Sequence, residues 1–328
     1  MKRYFAPLAV ACLVMGVIVT SLAIITSRFG WSIQLEKLAH FQVQYWLVAI
    51  ALTIVILCLK RYRLALAMLF CCALLSTQIV FWYAFTSPFS KASANYRVIS
   101  TNVWVRNTNA EKVLAFVEAE DPDLVLFMEV NEEMGKQLEA LETRLPYSSN
   151  QLTPYRLGTV IYSKRPLSEV QLQQFNTRSA VHISALVEVD GKPLSIVGIH
   201  PFPPISQELF VDRNRAFEAV SEYVKAQSEP VILIGDFNAT MWSPYYRQLV
   251  RQSGLNNARA GFGILPTWPA KLSYHSSLPG LNALTGLLQI PIDHCLASPA
   301  LQVANMHTGP DVGSDHLPIV IDFQLDRT

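Results

Sequence analysis

The stretch Gly313–Phe323, GSDHLPIVIDF, decides how the second half of this 328-residue chain is read. It places Asp315 and His316 directly before the apolar run Ile319–Phe323. Three other segments set polar groups at the end of an apolar or β-branched run: RVISTNVW with Asn102, DPDLVLFMEV with Glu129, and VILIGDFNAT with Asp236 and Asn238. Such runs read as strands, and strand ends can bring sequence-distant side chains to one edge of a sheet. A hard cation such as Mg²⁺ takes oxygen ligands, and one or two carboxylates plus a substrate phosphate suffice to hold it. Asn102, Glu129, Asp236, Asn238, Asp315 and His316 together are the parts needed for chemistry on a phosphate ester.

The first ninety residues are of a different kind. Phe5–Ser27 carries no charge, Leu38–Leu59 holds only His40, and Leu64–Ser87 is again uncharged. Each exceeds the roughly 18 apolar residues that argue for a transmembrane helix, so three spans are expected. A signal peptide followed by core helices is the competing reading. The first segment is too long for a signal h-region and has no small-residue cleavage site before the next apolar run. Lys2 and Arg3 precede the first span, and Lys60, Arg61 and Arg63 fill the link between the second and third. Positive residues in short loops favour the cytoplasm, which puts the first loop and everything after Ser87 outside. In a bacterial cell this predicts a multi-pass protein of the inner membrane with its second half on the periplasmic or external side. Trp82, Tyr83 and Phe85 suit an interfacial belt, and Pro88–Asn95 reads as a linker. Two units are therefore expected, a membrane region over 1–90 and a catalytic domain over 91–328.

Charge and cysteine usage divide the same way. Seven of the 26 Lys and Arg and one of the 25 Asp and Glu precede residue 91, leaving 19 basic against 24 acidic residues beyond it. A domain of that balance lacks the basic footprint of a protein that wraps nucleic acid. Cys12, Cys58, Cys71 and Cys72 lie in the apolar segments and Cys295 stands alone in the second half, so no disulfide is available there.

Beyond the linker, strands are expected at Tyr96–Val105, Leu124–Phe127, Gly158–Tyr162, Val181–Val189, Leu194–Ile199, Val231–Ile234, Ile290–Leu296, Val303–His307 and Ile319–Phe323. Helices are expected at Ala110–Glu120, Glu132–Leu145 and Ser206–Ala226. Asp190–Gly191 marks a hairpin. Hairpins mixed with strand–helix alternation predict mixed sheets covered by helices. Asp236 and Asn238 are two apart and can point the same way. Asp293 and His316 can form a carboxylate–imidazole pair that fixes the ring tautomer and raises its basicity. Strand alternation sends His294 to the opposite face. His200 ends the run LSIVGIH and joins the polar strand ends, whereas His182, His275 and His307 read as structural.

Taken in order, TNVW, PDLVLFMEV, GTVIYSKRP, GIH, GDFNA, PIDHCLAS and GSDHLPIV resemble the endonuclease/exonuclease/phosphatase superfamily, whose fold is similar to that of deoxyribonuclease I. The resemblance spans about Tyr96 to Leu325. The apolar N-terminus and LPTWP at Leu265–Pro269 look like its membrane-attached bacterial branch. It implies an α/β four-layer sandwich with two central sheets, and a divalent-metal-dependent phosphoric ester hydrolase. Residue by residue, it implies Glu129 as the principal ligand of Mg²⁺ (or Mn²⁺), with Asn102 beside it and Asp315 near it. Asp236 would orient or deprotonate the attacking water, and Asn238 would hold the phosphate or nucleophile. His200 and His316, the latter held by Asp293, would bind phosphate oxygens. Tyr155, Arg156 and Arg178 lie where substrate contacts could sit. The expected partners are the lipid bilayer and a phosphate ester drawn from nucleic acid, lipid head groups or small metabolites, with no obligate protein partner. The alternative is a membrane-tethered sensor or binding protein that keeps the fold without catalysis.

Overall fold

The computed structural model describes residues 5–84, 94–149, 158–175, 182–275, 278 and 280–324. Four helices come first: α1 (Phe5–Arg28), α2 (Ile33–Ala39), α3 (Gln42–Cys58) and α4 (Tyr62–Ala84). Among the described residues two helices, α1 and α4, are each long and apolar enough to cross a membrane, and a third crossing is available only to α2 and α3 taken together as one bent pair, which corrects the expectation of three transmembrane helices. The expected second span, 38–59, is broken. α2 and α3 meet at a 65° bend, where Phe41 leaves helical geometry (φ −103, ψ 34). The Gln42 side chain stabilises this bend by donating to Ala23 O and Ala39 O. At 17 residues, α3 alone is shorter than the roughly 20 residues a span needs. Phe85 and most of the expected linker lie outside the described residues.

The rest is a sandwich. In chain order its elements are β1 (Tyr96–Asn102), α5 (Ala110–Glu120), β2 (Leu124–Val130), α6 (Glu132–Leu138), β3 (Tyr147–Ser148), β4 (Gly158–Ser163), β5 (Leu167–Gln173), β6 (His182–Val189), β7 (Lys192–Ile199), α7 (Gln207–Lys225), β8 (Val231–Asp236), α8 (Pro244–Ser253), β9 (Asn256–Asn257), α9 (Thr285–Leu288), β10 (Asp293–Ala297), β11 (Gln302–Thr308) and β12 (Ile319–Gln324). One sheet runs β11-β12-β1-β2-β4-β3 and the other β5-β6-β7-β8-β10-β9. β1–β2 and β7–β8 are parallel and the remaining pairs antiparallel.

Alternation explains the layers. Val98, Leu126 and Met128 of the first sheet meet Ile183, Ile196, Ile232 and Ile234 of the second in one buried cluster. The opposite faces carry Ile99, Val125 and Phe127 against α5 and α6, and Val197 and Leu233 against α7 and α8. Each fully buried side chain of this size contributes about 1.5–3 kcal/mol of transfer free energy. The outer cluster of the second sheet does not stop at the sandwich. Ile79 of α4 is part of it, and Val43, Trp46 and Trp82 pack against it.

Some boundaries differ from the sequence reading. The helix expected over 132–145 ends at Leu138 and continues as a tighter turn over Glu139–Thr143. β5 and α8 are additions. β5 is a half-exposed edge strand with a register shift between Ser168 and Gln171, where Glu169 takes φ 50. α8 is short and polar, though Ser243 caps it, Pro244 opens it and Gly254 closes it with φ 72.

Candidate active site

Sheet pairing brings the polar strand ends together. Asn102 closes β1 opposite Met128, one residue before Glu129, whose φ of 56 turns β2 away from regular strand geometry. Asp236 closes β8 directly opposite Asp293, which opens β10. Gly235 makes this corner possible. Its φ is 146, and a Cβ there would lie 2.0 Å from Ile199 O. Asn238 also takes a left-handed φ of 49. Strained conformations of this kind persist where surrounding bonds over-determine them, and they gather at functional sites.

Asp236 is the hub, nearly fully buried. Its Oδ2 accepts from Asn102 Nδ2 at 3.3 Å and Asn238 Nδ2 at 3.4 Å. The same oxygen lies 3.5 Å from His200 Nε2 and 3.7 Å from His316 Nε2. Its Oδ1 accepts the Asn238 backbone N–H at 2.8 Å. Asn102 also donates to Glu129 Oε1 at 2.9 Å, while its own oxygen accepts the Trp104 N–H. Glu129 Oε2 accepts the Val105 N–H. His316 Nδ1 lies 2.9 Å from Asp293 Oδ2. Asn238 further donates to Pro201 O.

Burial and neighbours set the charges. Burial raises the Asp236 carboxyl, Asp293 adds to this, and the two histidines oppose it, leaving it pushed up to about 6. Burial disfavours the His316 cation, but Asp293 and Asp236 outweigh that and raise the ring to about 10. For Glu129 burial pulls upward. His200, the Asn102 amide and the Val105 N–H overcome it and hold the carboxyl below its usual value.

Asp315 is half a step apart. Its Oδ2 accepts Trp268 Nε1 at 3.2 Å and lies 3.3 Å from His275 Nε2. Among the described residues its buried Oδ1 has no hydrogen-bond partner. Burial, before any charged neighbour, raises this carboxyl. Among the described residues, Asp236, Asp293 and His316 bring ligand-type atoms within 4.8 Å of one another. We read this trio as a carboxylate–imidazolium pair facing a second carboxylate, because Asp293 is already engaged and His316 is cationic. A hard cation fits better at Glu129, an ionised and partly open carboxylate, with the orphaned Oδ1 of Asp315 as a further oxygen.

Two histidines read as structural from the sequence touch residues of the candidate site. His275 approaches Asp315, and its ring lies near Trp104 and Trp268. His182 accepts the His200 backbone N–H at 3.2 Å. Its burial pushes the ring down to about 3, so it stays neutral and able to accept. His275 follows no strand, so periodicity carried no signal for it. His294 faces away, with Nε2 2.8 Å from Ala239 O. His307 lies within β11, its Nδ1 3.3 Å from Thr308 O. Tyr155, Arg156 and Arg178 lie outside the described residues. A cavity of about 680 Å³ between α4 and α8, lined by Gln78, Trp82, Tyr246 and Arg247 among others, contains none of the site residues.

Residues 99–316 match the model of the endonuclease/exonuclease/phosphatase family, and the chain belongs to that family. No curated protein matches the sequence. Among solved structures the fold is similar to that of D. rerio TDP2 complexed with a single-strand DNA product (19% identity, 70% of this chain and 98% of that one, TM-score 0.57). It is similar as well to sphingomyelinase C from Streptomyces griseocarneus (16%, 70% and 99%, 0.52). A third similar structure is a variant of beta toxin from Staphylococcus aureus with bound magnesium ions (17%, 69% and 98%, 0.51).

Proposed function

We propose that this protein hydrolyses phosphoric esters by attack of water on phosphorus, on a membrane-anchored scaffold. The observation that carries the reading is the convergence on Asp236 Oδ2 of Asn102, Asn238, His200 and His316, all between 3.3 and 3.7 Å. A carboxyl held near 6 is a base suited to neutral pH. Asp236 orients the water and takes its proton, and Asn238 holds the water or a phosphate oxygen beside it. His316, kept protonated and oriented by Asp293, donates to the phosphate oxygens as their charge grows. His200 donates alongside it. Donors fixed in advance of the reaction lower the barrier most when aimed at developing charge.

Glu129 and Asp315, with Asn102 fixing Glu129, would hold Mg²⁺ (or Mn²⁺). When bound, that cation supplies charge neutralisation at the phosphoryl oxygens. The magnesium in the beta toxin structure supports this choice. The substrate reading is a phosphodiester with a flat or apolar group. Beside Asp315 the rings of Trp104 and Trp268 both lie near that of His275, and the Trp104 and Tyr274 rings are 5.6 Å apart. Nucleotides, through their flat bases, and phospholipids or sphingolipids, through the hydrocarbon beyond the head-group phosphate, both meet that description. The acidic balance of the sandwich disfavours long nucleic acid.

The full chain, purified in detergent, is assayed with DNA, RNA, sphingomyelin and bis-p-nitrophenyl phosphate, with and without Mg²⁺. Hydrolysis of at least one ester is expected. Asp236→Asn should lower kcat by about 10²-fold or more and change KM far less. Tight ligand binding without turnover of any ester would favour the sensor alternative.

A further inference from the structure

The chain's described ion pairs include one that joins its two halves out of contact with water. Glu36, on α2, and Arg213, on α7, are both fully buried, with Arg213 Nη2 3.0 Å from Glu36 Oε1. The same oxygen accepts Ser243 Oγ at 2.7 Å. Arg213 Nη1 donates to Asn238 O at 3.0 Å, and its Nε and Nη2 donate to Asn214 Oδ1. His40, just past α2, has Nε2 3.3 Å from Glu36 Oε2 and Nδ1 3.1 Å from Thr240 Oγ1. The loop that follows Asp236 is thus held at Asn238, Thr240 and Ser243 by groups from the first forty residues, directly or through Arg213.

We infer that Glu36 is a positioning residue for the loop 236–243, acting through Arg213 on the Asn238 peptide. This rests on the reading of that loop as catalytic. Taking a carboxylate and a guanidinium out of water is costly and contributes little net stability, so mere attachment of an anchor does not call for it. The pair does set a direction. Arg213 ends on the carbonyl of Asn238, a residue in a left-handed conformation, whose side chain donates to Asp236 and Pro201. Fixing that peptide plane fixes where the Asn238 side chain and the Asp236 carboxylate point. Without Glu36 the buried guanidinium loses its counter-charge, and the neutral Asn214 amide is left to orient it toward the Asn238 carbonyl. Both Glu36 and His40 lie outside the segment 99–316 that matches the family, so this support is an addition to the shared scaffold.

The test uses the full chain in lipid nanodiscs, as Glu36→Ala, Glu36→Gln and Gln44→Ala. Gln44 also bridges the halves, donating to Leu287 O, but does not touch the loop. Steady-state hydrolysis and hydrogen–deuterium exchange of backbone amides are read on each. Glu36→Ala should lower kcat by about 10–100-fold with KM within about threefold, as expected for a misplaced catalytic group. Its exchange should rise in 236–243 and α2 while β1, β2, β7 and β8 keep their protection. Glu36→Gln keeps an oxygen for Arg213 and Ser243 and should recover part of both. Gln44→Ala should match the unmutated chain. Unchanged loop exchange in Glu36→Ala overturns the inference. So does exchange that rises equally in every strand, or the same loop loosening in Gln44→Ala. If the unmutated chain hydrolyses no ester, the functional reading fails, and the exchange pattern alone still decides whether Glu36 orders the loop.

Discussion

At the scale of single residues, Asp236 and His316 are set against one another. Burial and Asp293 push the Asp236 carboxyl up to about 6, while the His316 cation draws it down. The two carboxylates in turn hold His316 protonated up to about 10. In the proposed mechanism the working state has Asp236 ionised and His316 charged. kcat/KM should therefore rise as pH passes up through about 6 and fall as it approaches about 10, as macroscopic values of a coupled pair. His316→Ala should lower kcat by about 10²-fold or more and move the acid limb to higher pH, because it removes a charge that lowers the Asp236 pKa. An acid limb that stays in place would show that His316 does not face Asp236. The sequence made most of these residues visible, since each ends an apolar run and the runs carry family-like motifs. It did not reveal His275 or His182. One sits in a loop with no periodicity, and the other acts only through the backbone N–H of His200.

At the scale of elements, the parallel pair β7–β8 sets how closely the site can be built. Ile199 lies opposite Gly235, so the carbonyl of Ile199 occupies the space where any other residue would carry its Cβ. Gly235→Ala should therefore cost about 2–4 kcal/mol of stability, from the close contact and from φ 146 together. Chemical denaturation would measure it, and a loss under about 0.5 kcal/mol, the range of ordinary surface changes, would mean the corner relaxes freely. The buried strands were readable because β-branched runs have little else to do. β5 was not, since its alternation is interrupted by a bulge and it covers little apolar surface. α2 was not either, because IQLEKLA is short, and its helical turn is set by the Ser32 cap and its burial against the sandwich.

At the scale of the whole molecule, the sandwich meets one end of the helical bundle. Tyr245 donates to Gly30 O, Arg247 to Ser27 O and Gln78, Trp242 to Gln78 O, and Gly261 and Gly263 to Trp82 O. The end of α1, α2, the start of α3 and the end of α4 are therefore on the sandwich side, and the basic link at Lys60–Arg63 is at the far end. With positive residues kept in the cytoplasm, a reporter active only outside it should work when fused after Thr328 and stay silent when placed near Arg61. The reverse pattern would put the sandwich in the cytosol. Charge asymmetry in the sequence carries the expected orientation, whereas the contact between the halves left no mark there, because it joins residues about two hundred positions apart.

That contact also bears on what proteolysis can achieve. Ile79 is part of the apolar cluster on the outer face of the second sheet, and Trp46 and Trp82 pack against it. A cut through the backbone between α4 and β1 would sever the covalent tether and leave this apolar contact, the Glu36–Arg213 pair and the bonds to Trp82 intact. The nicked halves would stay together as a two-chain complex. A sandwich pulled free would expose a greasy scar and an orphaned arginine, and it would aggregate before it could diffuse away as an independent shed enzyme.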